Sequence, residues 1–186
     1  MEKSERIIIG IAGVAAGAGV THLTIALANY SATVKKRKTA VIELSGNHAM
    51  EELGETGNAF VMQQVTYYPN LLHHQIPEVL KEDYEVLILD LGCTYHRIRM
   101  ELLRCNEKLI VGSSAPWRSR EYIRFVLDEM GEDGMTKATV YLTNNGMRKD
   151  KNEIKRQIRQ PVYDIPFLPD PFSIGKSQYD FFQRFF

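Results

Sequence analysis

The sequence predicts an α/β domain: a doubly wound, mostly parallel sheet flanked by helices. Two observations carry this. Short apolar runs recur along the 186 residues, and helical periodicity falls between them. The runs are 6–12, 39–44, 84–90, 108–112 and 138–142. They are near-continuous rather than alternating, as expected of strands buried on both faces of a parallel sheet.

The helical segments follow in order. From Thr21, apolar residues recur at Leu23, Ala26, Leu27, Tyr30 and Val34, one face of a helix. After Trp117 the positions Tyr122, Phe125, Val126 and Met130 repeat the pattern, and Ile154 and Ile158 mark a shorter helix before Pro161. Strand–helix alternation of this kind reads as one doubly wound unit over residues 1–186. The segment 45–69 is the least patterned. It is polar at first, and its stretch 60–67 reads as an edge strand.

Composition narrows the function. Lys+Arg 23 balance Asp+Glu 23, so no global charge draws the chain to nucleic acid or an anionic membrane, and such binding needs a local patch. Nucleic acid is therefore not the expected partner. Cys93 and Cys105 lack the spacing of a metal site or a disulfide scaffold and read as reduced thiols. The charged start, MEKSER, is unlike a signal peptide, and no apolar stretch nears the ~20 residues of a membrane span. The expected location is cytoplasmic, at most peripheral to a membrane. His73 and His74 are adjacent and point apart, and His22, His48 and His96 have no ligand spacing, so no metal site is expected. Neither a catalytic triad nor a Cys–His pair can be argued from spacing.

Chemistry concentrates after the first run. Residues 13–22, Gly-Val-Ala-Ala-Gly-Ala-Gly-Val-Thr-His, form a small-residue loop opening the first helix. Such a loop lets backbone N–H groups converge on an anion at the helix N-terminus. The second run ends near Glu43 and the third at Asp90-Leu91-Gly92. Acidic residues thus stand at strand C-termini, where α/β sheets place ligands. A later run leads to Asn144-Asn145, and residues 161–171 read Pro-Val-Tyr-Asp-Ile-Pro-Phe-Leu-Pro-Asp-Pro.

On these residues the chain resembles the MinD/ParA family of deviant Walker A P-loop ATPases (SIMIBI class), including TadZ-like proteins. The family loop K-G-G-x-G-K-[ST] falls on Ala15-Ala16-Gly17-Ala18-Gly19-Val20-Thr21. The run 84–90 is similar to the strand ending in the Walker B or switch II aspartate, and 165–170 to the I-P-x-D segment near the base. The resemblance implies a P-loop NTPase-like fold and a nucleotide- or phosphate-binding loop at Gly17, Ala18, Gly19, Val20, Thr21 and His22. It implies magnesium or switch roles for Glu43 and Asp90, and an adenine side at Asn144 and Asp170. Its cofactor would be ATP or ADP with Mg2+, bound weakly or not at all, and its assembly a homodimer with a further protein partner.

The departures point away from catalysis. Val20 replaces the Walker lysine, Ala15 the signature lysine, and Ser45 a switch I acidic position. Phosphoryl transfer depends on neutralising developing charge, and losing one arginine-finger-type cation costs ~10³–10⁵ in rate. The expectation is a non-hydrolysing pseudo-ATPase that positions or scaffolds an assembly. Two alternatives stay open. One is an active ATPase that draws its cation from elsewhere, such as Arg118 or Arg120. The other is a DNA-bound partition-type module using the basic helix 148–159, which, like the basic stretch 35–38, reads first as a solvated face.

The tail, 177–186, is amphipathic as a helix: Tyr179, Phe181, Phe182, Phe185 and Phe186 group on one side, Asp180, Gln183 and Arg184 opposite. It resembles the membrane-targeting end of MinD, with fewer basic residues. Docking on its own domain or in a dimer interface is the favoured expectation, and peripheral membrane contact the alternative.

Overall fold

The computed structural model describes residues 6–54, 59–129, 137–144 and 147–186. Met130 and Asn145 lie outside the described residues, as does most of the charged N-terminal segment.

Among the described residues, eight strands form one sheet: β1 Ile7–Gly13, β2 Thr39–Glu43, β3 Phe60–Met62, β4 Val65–Tyr68, β5 Val86–Asp90, β6 Glu107–Ser113, β7 Thr139–Asn144 and β8 Val162–Asp164. Their spatial order is β3-β4-β2-β5-β1-β6-β7-β8, and every pairing except β3–β4 is parallel. The mostly parallel, doubly wound sheet is as the sequence predicts. The central strands are buried on both faces. In β5, Val86 and Ile88 face one helical layer while Leu87 and Leu89 face the other.

The helices are α1 Val20–Asn29, α2 Ile76–Lys81, α3 Tyr95–Arg104, α4 Pro116–Glu129, α5 Arg148–Ile158 and the short α6 Tyr179–Phe182. α1 and the C-terminal tail cover one face with Leu23, Leu27, Tyr30, Phe181, Phe182 and Phe185. The other face is covered by Val79, Leu102, Tyr122, Val126, Ile154 and Ile158. α1 continues through a π-turn, Tyr30–Val34, before the chain enters β2.

The stretch 60–67 is a hairpin rather than a single edge strand. Gln63 and Gln64 both adopt positive φ, 49° and 67°, and turn antiparallel β3 back onto β4. Stacking of Phe60 on Tyr67, with ring centroids 5.2 Å apart, holds the pair.

The tail from Lys176 to Phe185 is a 3-10 turn, α6 and a second 3-10 turn, docked on its own domain. Tyr30 stacks on Phe182 at 5.3 Å and meets Tyr179 edge-on at 5.4 Å. Phe182 is fully buried, Phe181 and Phe185 nearly so, while Phe186 is half-buried beneath the Arg37 guanidinium. The surface that receives these aromatics is built around Tyr30, in the π-turn that follows α1.

Candidate functional site: a phosphate-type loop

Parallel β1, β5 and β6 end together at one edge of the sheet, so the loop leaving β1 lies between the ends of its neighbours. Gly13 N–H donates to Gly92 O at 2.7 Å and Val14 N–H to Val111 O at 2.9 Å, tying the base of the loop to both sides. Gly17 and Gly19 adopt left-handed conformations, φ 76° and 91°, which turn the chain over the start of α1. Gly19 supplies no side-chain cap and the first turn of α1 carries no acidic residue. Its free N–H groups and partial positive charge therefore face a cleft of about 240 Å³. Residues 15–22 line this cleft together with Asn47, Gly92 and Cys93.

The floor of the site is Asp90, which ends β5 and is fully buried. Thr21 Oγ1 donates to its Oδ2 at 2.6 Å and Gly92 N–H to its Oδ1 at 3.0 Å. Burial pushes the Asp90 carboxyl up to about 6; the two hydrogen bonds pull it down, and Glu43 on the adjacent strand pushes it further up. A hydroxyl and a carboxylate side by side are a hard-oxygen pair suited to magnesium.

Val20 touches the edge of the cleft, but its side chain turns away into the core. It is 7% exposed and belongs to the core beneath α1. Its Cγ2 sits 2.8 Å from where a Cβ on Gly13 would lie, so the glycine makes room for it. The position aligned with the Walker lysine is thus a packing residue. Ala15 is half-buried and Ala16 exposed at the rim, and neither brings charge.

The remaining predicted residues divide. Asn144, ending β7, donates from Nδ2 to Ala18 O at 2.5 Å and staples the loop from the side. His22 Nε2 donates to Leu168 O at 2.7 Å, docking the 165–170 segment on α1. Asp170 is exposed, lines neither of the clefts at the loop, and accepts Phe172 N–H at 2.9 Å within its own turn. Glu43 is buried and faces Asp90 across the β2–β5 pairing. Its carboxylate accepts Ala49 N–H at 3.0 Å, Asn70 N–H at 3.3 Å and the Ser45 hydroxyl at 3.3 Å, so it organises the loop after β2.

Two cleft residues escape sequence reading. Asn47 is placed by the loop that Glu43 holds, and Cys93 by the turn after Asp90. Their only signal is that both follow strand C-termini. In α5, Ile154 and Ile158 are buried as expected, while Lys151 pairs with Asp164 and Arg156 with Glu153. Among the described residues no cluster of His, Cys, Asp and Glu could hold a metal by itself, and no helix is long and apolar enough to cross a membrane.

Strand order, with a loop and a buried aspartate at the strand ends, gives an α/β fold of the P-loop NTPase type. More narrowly, the fold is MinD/ParA-like. A ParA family ATPase from Chlorobium tepidum TLS superimposes with a TM-score of 0.67 at 13% identity, covering 89% of this chain and 86% of that one. A putative plasmid partition protein from Borrelia burgdorferi B31, bound to AMPPNP, gives 0.68 at 14% identity, covering 97% and 96%. The septum site-determining protein MinD from Pyrococcus horikoshii OT3, complexed with Mg-ADP, gives 0.63 at 17%, covering 88% and 82%. No family model matches the chain, and no curated protein matches it.

Proposed function

We propose that this chain is a MinD/ParA/TadZ-like positioning or scaffold protein whose loop retains an anion cradle and does not hydrolyse nucleotide. The observation that carries this reading is Val20, turned into the core where a catalytic loop sends a lysine to the phosphates. Support for a residual ligand comes from the open first turn of α1 and the Thr21–Asp90 pair. ATP or ADP is the nucleotide; Thr21 and Asp90 would hold its magnesium, which when bound would neutralise phosphate charge. The expected result of a steady-state phosphate-release assay is no turnover above background. Turnover typical of this fold's ATPases, abolished by Asp90→Ala, would overturn the reading.

The same reading includes a homodimer meeting at the loop surface. Ala15 and Ala16 themselves bring no charge to that surface, and Trp117 beside it is 82% exposed. Dimerisation should therefore not depend on ATP. Light scattering is expected to give the same dimer mass with and without Mg-ATP, and a monomer under both conditions at high concentration counts against the scaffold role.

A further inference from the structure

The loop has lost its own lysines, yet the fold brings a cation to it from another element. β6 lies beside β1 in parallel, so the helix that follows β6 starts next to the loop. α4 begins at Pro116, and Arg118 in its first turn reaches back to the loop tip: Nη1 donates to Ala16 O at 3.2 Å. A second cleft, about 230 Å³, opens between them. Ala15, Gly17, Ala18, Asn144 and Arg118 are among the residues that line it.

The base of Arg118 is rigidly held. One turn on, Tyr122 is fully buried, with its hydroxyl 2.9 Å from Leu142 O and 3.1 Å from Ile110 O, within donating reach of both. Its ring lies against Gly112, where a Cβ would meet ring carbon at 2.6 Å, so only glycine lets the helix sit this close to β6. Ser113 Oγ accepts Ala115 N–H at 3.2 Å and fixes the entry to α4. The guanidinium itself is exposed and, among the described residues, makes no ion pair. Glu121 lines the same cleft with opposite charge, so attraction of an anion there falls to Arg118.

We propose that Arg118 is the phosphate-binding cation of this site, replacing the missing loop lysines in holding a di- or triphosphate group. Its present acceptor is a neutral carbonyl. A phosphate oxygen is a stronger acceptor for a guanidinium, so exchanging one for the other is favourable and frees the loop tip. Arg120 is not equivalent. It opens onto the adjoining groove with Arg124 and Asp128, and among the described residues the hydrogen bond to the loop comes from Arg118.

The assignment rests on the anion-cradle reading above, and the experiment separates the two. Inorganic pyrophosphate is titrated calorimetrically, without magnesium and at fixed ionic strength, into the wild type, Arg118→Ala, Arg118→Lys and Arg120→Ala. The expected result is binding by the wild type, weakened roughly 10-fold or more by Arg118→Ala and restored in part by Arg118→Lys. Unchanged or tighter binding by Arg118→Ala overturns the assignment and leaves the cradle, with the arginine reduced to a latch on Ala16. So does a loss confined to Arg120→Ala. A wild type that takes up no pyrophosphate overturns the cradle and the assignment together. Arg118 is exposed, so thermal melts of its variants should match the wild type.

Discussion

Phe182→Ala is expected to destabilise the chain by roughly 3–5 kcal/mol, the usual range for truncating a buried phenylalanine. Phe182 is completely buried, stacked on Tyr30 at 5.3 Å and packed edge-on against Phe181 at 5.2 Å. The neighbours cannot close the gap easily, because Tyr30 sits in the π-turn and is itself wedged by Tyr179 and Phe186. For a chain of this length the loss corresponds to a melting temperature lower by about 6–20 °C. Phe186→Ala, at a half-buried ring, should cost much less. A circular-dichroism melt checks both. A Phe182→Ala protein that melts with the wild type but no longer binds anionic liposomes would instead make the tail a membrane element.

The tail illustrates what the sequence can and cannot say. Its amphipathic pattern is visible in residues 177–186, but the receiving surface around Tyr30 is some 150 positions away in the chain, and no local signal names it. The same division runs through the fold. The apolar runs of β1, β2, β5, β6 and β7 are readable because buried parallel strands are apolar on both faces. The β3–β4 hairpin is hidden because its turn uses Gln63 and Gln64 in left-handed conformations where glycine or asparagine would announce it. β8 is three residues long beside Pro161 at the sheet edge, too short for periodicity. At the site, the loop and Asp90 follow from their places at strand ends. Glu43 is readable as a strand-end carboxylate, but not as the group that accepts the N–H groups of Ala49 and Asn70, since those contacts depend on how the loops return. Arg118 and Arg120 are equal candidates in sequence. The 3.2 Å contact of Arg118 to Ala16 and its place in the cleft at the loop separate them.

Asp90→Asn is expected to stabilise the protein above neutral pH while removing one half of the Thr21–Asp90 pair proposed to hold magnesium. The Asp90 carboxyl titrates near 6 in the folded chain against an ordinary 3.8, so the native state holds its proton more tightly than the unfolded state does. The stabilising linkage is complete below the unfolded value and is lost as pH rises from there through about 6. Above that, a charged Asp90 beside buried Glu43 costs the fold roughly 2–3 kcal/mol. An asparagine carries no charge to bury. Its oxygen can still accept from Gly92 N–H, and the Thr21 hydroxyl can rotate to accept from the amide. Urea unfolding at about pH 8 should therefore show the variant more stable than the wild type by roughly 1–3 kcal/mol, with the difference shrinking toward pH 4. The wild type alone should lose stability as pH rises from about 4 to 6 through this group. A variant destabilised equally at both pH values would mean that the Asp90 carboxylate is held favourably by its two donors, and that the strand-end charge is not a cost to the fold.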